Sequence, residues 1–340
     1  MRINKRILGH LDTVYAPAIM EVNGMVTFLA AGDRTCMAFN QSDWKGTSVW
    51  DEPGGTMNIV PIPGRENQFI ATQEFFSGFQ AKGSKIVHVK YDSDHNWVVN
   101  PIMTIPYLHR FDLLLLNNKL CFIGATLCGD KEYKEDWSKP GAVYFGEIGE
   151  EVGEPFPLIP ILQGIRKNHG FCKGKWNGKE AYLISGVEGV FALYLPEKVS
   201  DSWEVEQLLD HEVSDMAVCD LDNDGYMELA TIEPFHGNRG IIYKNKEGKL
   251  SSIYEYEYEF GHVIWGGRIL DRPSFIIGGR EGHKELNCFQ MEDGSERITH
   301  FTIDNTGGPT NIAVLKTEKS DLILAANRDA EELTIYEIFA

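Results

Sequence analysis

No stretch of this chain approaches the roughly 18 consecutive apolar residues of a membrane-spanning helix. The opening MRINKRILGHLDTVY is basic but has no apolar run of signal-peptide length. A cytoplasmic location with no membrane partner is the expectation. Positive charge is scarce: 32 Lys and Arg stand against 50 Asp and Glu, a formal net charge of −18. That balance repels phosphate backbones and anionic surfaces at long range, so no nucleic-acid partner is expected. The chain has no GxSxG elbow, no GxxxxGK[ST] phosphate loop, and no GxGxxG between a strand and a helix. Serine hydrolases built on that elbow, P-loop NTPases and Rossmann oxidoreductases are thereby excluded. Cysteines are few. Cys36, Cys121, Cys128, Cys172, Cys219 and Cys288 are scattered through apolar segments without metal or redox spacing, and read as buried reduced thiols.

Helical periodicity is almost absent too. Short runs rich in Ile, Val, Leu, Phe and Tyr, bounded by Gly, Asn, Asp and Pro, recur from end to end, which predicts an all-β chain. The runs fall into units with a shared order: an entry strand, a turn, a run ending in small residues, a polar loop and an aromatic-containing strand. Units beginning HRFDLLLL at His109, HGFCKGKW at His169, HEVSDMAV at His211 and HVIWGGRI at His262 open on histidine, and TNIAVLKT at Thr310 follows the same pattern without one. Weaker units start at Thr13 and Met57. The clear starts lie 42 to 60 residues apart, near the repeat length of propeller blades. We therefore expect one β-propeller spanning residues 1–340, with seven blades of four antiparallel strands, because radial closure buries the sheet edges that so many short strands create. The terminal ELTIYEIF suggests that the two ends of the chain share a blade.

One loop carries a recognisable ligand spacing. Asp220, Asp222, Asp224 and Glu228 stand at relative positions 1, 3, 5 and 9, with Gly225 at position 6 for the turn. Oxygen ligands so spaced suit Ca²⁺, and the flanking MAVCDL and MELATI make the loop a β-hairpin, unlike the helix-flanked EF-hand. The same loop without an ion is an Asx-rich turn. If calcium is bound here, a structural role is expected, at the end of the blade opposite the entry histidine.

This loop and its blade resemble the FG-GAP or VCBS-type repeats of integrin-like propellers. The all-propeller layout with blade-entry histidines is similar to the dehydratase domain of aldos-2-ulose dehydratases, lyases acting on keto-sugars, and more distantly to oligogalacturonate lyases. The resemblance implies a carbohydrate lyase.

In a propeller the first strand of each blade lines the channel, so the residues before it converge on one mouth, and the loops between second and third strands return to that mouth. His169, His211 and His262 are read as ligands of a divalent transition metal such as Zn²⁺, Mn²⁺ or Fe²⁺. His109, Glu188 and Glu281 are the acid–base candidates. Arg110, Glu74, His236, Arg280, His283 and Arg328 are the substrate-binding candidates, with Arg110 equally able to pair with Asp112. Tyr107, Trp265, Phe75, Phe76, Phe79 and Phe235 lie near the same loops and read mainly as inter-blade packing. The expected reaction is metal-assisted proton abstraction beside the carbonyl of a small carbohydrate, followed by β-elimination. The competing expectations are a non-catalytic ligand-binding propeller and a glycoside hydrolase using two carboxylates.

Overall fold

Period-two patterning and glycine-rich turns resolve into 28 strands in a computed structural model that describes residues 1–340 apart from Ser77, Phe79, Glu247, Gly248 and Asp293. The first strands of the successive sheets are β2 (Ala16–Val22), β6 (Ile59–Pro61), β10 (Leu108–Leu116), β14 (Gly170–Trp176), β18 (Asp215–Cys219), β22 (Glu259–Ile269) and β26 (Asn311–Lys316). From β2 onward, every four consecutive strands form one antiparallel sheet, giving blades 1 to 6 around a common axis. Blade 7 is closed differently. It orders β26, β27 (Asp321–Asn327), β28 (Glu332–Phe339) and then β1 (Arg2–His10), so the first strand of the chain completes the last blade. Pairing runs from Arg2 opposite Phe339 to His10 opposite Glu332, and closure by hydrogen-bonded strands leaves the ring no open seam.

The second strands carry the core. β27 and β19 (Glu228–Glu233) are buried at every residue because each blade is covered by neighbours on both faces. Cys121, Ile123 and Phe145 of blade 3 pack on Tyr182, Ile184 and Leu193 of blade 4, and Ile276 and Leu286 of blade 6 pack on Ile323 and Tyr336 of blade 7. Each fully buried large apolar side chain contributes about 1.5–3 kcal/mol. Buried tyrosines reach back one blade to satisfy their hydroxyls: Tyr182 donates to Asp112 at 2.6 Å and Tyr336 to Asp304 at 2.9 Å. All six cysteines are free thiols, five of them buried, as their apolar flanks predict. Among the described residues regular helix is essentially absent: a 3-10 turn spans Arg328–Ala330, and no helix is long and apolar enough to cross a membrane.

Near the axis the first strands crowd. A Cβ at Gly170 would strike Ser185 Oγ and stand 2.9 Å from the Cα of Asp215, so glycine here lets blades 4 and 5 close on one another. The neighbouring residue, His169, is thereby brought against the backbone of the next blade.

Candidate functional site

The residue before a first strand is fixed by the strand register. The amides of Tyr15, His169, Ser214 and Thr310 donate to the carbonyls of Ala31, Ser185, Ile232 and Ala326 at 2.9, 3.2, 2.8 and 2.9 Å. These four residues occupy the same place in blades 1, 4, 5 and 7. His109 and His262 reach the same mouth from the bulged starts of β10 and β22. His236 arrives on the loop between β19 and β20 (Arg239–Lys246), in the left-handed conformation (φ 48°), with its amide on Ser214 Oγ at 3.1 Å. Residues from all seven blades, from Tyr15 and Met57 to His262 and Arg328, enclose a cavity of about 390 Å³ at this mouth.

The imidazoles are aimed by neighbouring blades. His169 Nδ1 lies 3.1 Å from the carbonyl oxygen of Ser214, and His262 Nδ1 lies 2.9 Å from that of Thr310. A carbonyl only accepts, so in both rings Nδ1–H donates and Nε2 is left as a bare lone pair. His236 Nε2 stands 3.4 Å from His169 Nε2. One ring nitrogen from each of His169, His236 and His262 lies within 4.8 Å of the other two. His236 is stacked between Phe235 and Phe260, at 4.1 and 4.7 Å between centroids. His109 packs 4.5 Å from the His169 ring, and its Nε2 shares a hydrogen bond of 3.3 Å with Tyr15 Oη.

All four imidazoles are held neutral at pH 7. Burial is the main cause, pushing His109, His169 and His262 well below the ordinary histidine value, with the other imidazoles, Arg110 and, for His262, Arg280 adding to the effect. Burial, Arg280 and Lys167 bring His236 down to about 3. Neutral rings offer lone pairs, which is the protonation state a metal ligand needs. Two nitrogens on a tetrahedral ion at about 2.0–2.1 Å stand about 3.3–3.4 Å apart, so the His169–His236 separation has the right size. Close to this cluster, burial raises the Asp215 carboxyl to about 7 against the pull of Arg110.

Sequence reasoning placed His169, His262 and His109 at this mouth, and the structure puts them there together. His211 is a correction. It is nearly half exposed, its Nε2 is 3.0 Å from Glu233 Oε2, and it faces a separate groove of about 550 Å³ between blades 4 and 5. The register explains the difference, since β18 begins at Asp215 and Ser214 fills the place that His169 fills in blade 4. The third member of the cluster is His236, assigned from sequence to substrate binding. Of the acid–base candidates only His109 lines the cavity. Glu188 is bound to Arg166 at 2.7 Å, and Glu281 lies with His283 in another groove. Glu74 is engaged by Lys85 at 2.6 Å. Arg280 and Arg328 do line the cavity. Arg110 does not; it donates to Asn311 at 2.7 Å, and the carboxylate of Asp112 is taken by Tyr182. Phe75, Phe76 and Phe235 wall the cavity instead of only packing blades, whereas Tyr107 and Trp265 lie outside its lining and Phe79 falls outside the described residues. Tyr15, Phe260 and Trp137 were missed; the tract TVYAPAI could have shown Tyr15 one residue before its strand.

On the opposite end of blade 5, the carboxylates of Asp220, Asp222 and Asp224 also come within 4.8 Å of one another. The Lys244 ammonium sits among them. It is bonded to Asp222, 2.8 Å from Asp224 and 3.7 Å from Glu228. Glu228 is fully buried and accepts the Leu221 amide at 2.7 Å, and burial raises its carboxyl to about 7.

No protein-family model and no curated protein sequence matches the chain. Solved structures do match. The β-propeller domain of Cps50 (Swd1) from Myceliophteria thermophila superposes with a TM-score of 0.60 at 10% identity, covering 100% of each chain. A 6-phosphogluconolactonase-like protein of Bacteroides fragilis gives 0.57 at 13% identity over 89% of this chain and 88% of that one. The soluble aldose sugar dehydrogenase of Escherichia coli gives 0.50 at 10% identity over 99% of each. At these identities the likeness is one of fold.

Proposed function

We propose that the protein is a metal-assisted carbohydrate lyase, removing a proton beside the carbonyl of a keto-sugar or sugar derivative and eliminating a β-hydroxyl or β-alkoxyl group. The observation that carries this reading is the set of three neutral imidazole nitrogens within 4.8 Å, at a cavity that also holds the His109–Tyr15 pair. Two structural neighbours with sugar-related names, and the resemblance to keto-sugar dehydratases, favour the same substrate class. A divalent ion held by His169, His236 and His262 would polarise the substrate carbonyl. His109 and Tyr15 act as one relay. The proton passes to His109 as Tyr15 gives its own proton to the departing oxygen and takes one back from His109, so no imidazolium persists in the buried site. The C–H electron pair forms the new double bond, and the β C–O bond breaks. Phe75, Phe76 and Phe260 offer aromatic faces to the C–H faces of a sugar and keep bulk water from the site.

Screening keto-sugars for the ultraviolet absorbance of a conjugated carbonyl product tests the reading. Turnover should stop on chelation and return with Zn²⁺, Mn²⁺ or Fe²⁺, and His109→Ala should lower kcat by about 10²–10⁴-fold. Turnover indifferent to chelation contradicts it, and sugar binding without turnover makes the mouth a binding platform.

The Asp220 loop is read as a separate structural Ca²⁺ site in which Lys244 competes with the ion. Lys244→Met removes the competing charge and should raise calcium affinity at least tenfold in a calorimetric titration. Equal affinities in the two proteins would contradict it.

A further inference from the structure

Five charged side chains stand at the rim of the cavity: Asp33, Lys134, Glu135, Arg280 and Arg328. Two of them form one built unit. Arg280 gives Nη2 and Nε to Asp329 at 2.8 and 3.3 Å and lies 5.0 Å from the Phe260 ring centroid. Asp329 is the residue after Arg328 in the 3-10 turn, so the Arg280–Asp329 pair pins that turn from one side. Asn327 pins it from the other: fully buried, it donates to Thr334 Oγ1 at 3.1 Å and to Tyr336 Oη at 3.0 Å. Arg328 is thus carried on a fixed backbone into the cavity, and among the described residues its guanidinium has no hydrogen-bond or ion-pair partner. Asp33 lines the same cavity, where burial raises its carboxyl and the Arg328 charge pulls it down, but among the described residues no ion pair within 4.0 Å joins the two.

A planar guanidinium with its donors unspent is suited to the paired oxygens of a carboxylate or phosphate. The charge of the whole chain makes this local cation more telling. At a net −18 the surface field repels anions, so an anionic ligand would depend on a placed arginine at short range. Arg280, already neutralised by Asp329, supplies rigidity and an aromatic-backed wall, leaving Arg328 to recognise the ligand.

We infer that the substrate carries an oxyanion, a carboxylate or a phosphate, which Arg328 holds while the sugar ring lies toward the histidines. The inference rests on the sugar reading of this cavity but requires neither metal nor turnover.

The test is calorimetric binding of D-gluconate, D-glucose 6-phosphate and D-glucose to chelator-treated protein and to Arg328→Gln. At least one anion should bind tenfold or more tightly than glucose, and Arg328→Gln should remove that advantage while leaving glucose unchanged. The anion that loses more affinity identifies carboxylate or phosphate as the group recognised. Anions bound no more tightly than glucose, or an advantage that survives Arg328→Gln, overturn the inference. Because metal is absent throughout, a failed lyase assay and a failed anion preference remain separate results.

Discussion

If the proposed metal centre in the mouth is correct, His236→Ala should fail to bind a transition metal, whereas His211→Ala should bind it as the wild type does. The two residues differ in position, not in type. His236 Nε2 faces His169 Nε2 at 3.4 Å inside the cluster, while His211 is spent on Glu233 at the edge of another groove. Removing an outer hydrogen-bond partner of a ligand typically costs 10–100-fold in metal affinity. Removing one of three ligands should cost more than that, so the His236→Ala protein should fall below measurable stoichiometry. His169→Ala and His262→Ala should behave alike, since the Ser214 and Thr310 carbonyls orient those rings equivalently. Zinc titration against a chromophoric chelator reads all four variants. Equal metal loss in His211→Ala and His236→Ala would mean that the cluster is not where the ion binds.

Acid should destabilise the metal-free protein strongly. The folded-state pKa values of His109, His169, His236 and His262 are depressed below the unfolded value near 6.5. Above pH 6.5 the rings are neutral in both states and stability is unaffected. As the pH falls below 6.5 the unfolded chain takes up protons that the buried rings refuse, so stability is lost until the folded pKa is reached, about 3 for His236. Each ring contributes up to about 1.4 kcal/mol per pH unit. Asp215 and Glu228 act oppositely, because their carboxyls are raised to about 7 in the fold and favour folding as they protonate between pH 7 and 4. Four depressed imidazoles outnumber the two raised carboxyls, so stability should fall between pH 6.5 and 5, with His236 alone accounting for up to about 2 kcal/mol of the loss. Denaturant unfolding of chelated protein at the two pH values measures it, and His236→Phe should reduce the difference. Stability that is flat or rising on acidification would show that the rings are not buried as a neutral cluster.

The blades were legible because each second strand is an apolar run ending in small residues and each turn is marked by Gly, Asn or Asp. Even the closure by ELTIYEIF with the chain's first strand could be anticipated. The mouth was legible in outline, since alternating strand direction dictates which loops return to the axis. What the sequence does not carry is register. HEVSD and HGFCK look alike, yet His211 stands four residues before its strand and His169 only one, and at the axis that three-residue offset separates a surface histidine from a cluster member. His236 needed the path of a loop that no pattern specifies. Lys244 is 20 residues from Asp224 in sequence, and only the pairing of β20 beside β19 brings its ammonium to the Asp220 loop. The arginines at the rim show the same division: Arg280 and Arg328 were placed at the mouth by strand order, but which of them is already paired depends on Asp329 packing across two blades.

The most direct measurement is elemental analysis by plasma mass spectrometry of protein purified without chelator or His-tag, beside its His169→Ala/His236→Ala/His262→Ala variant. Near-stoichiometric Zn, Mn or Fe is expected in the wild type and none in the variant. A wild type free of transition metal, or a variant that retains it, would contradict a metal centre in the propeller mouth.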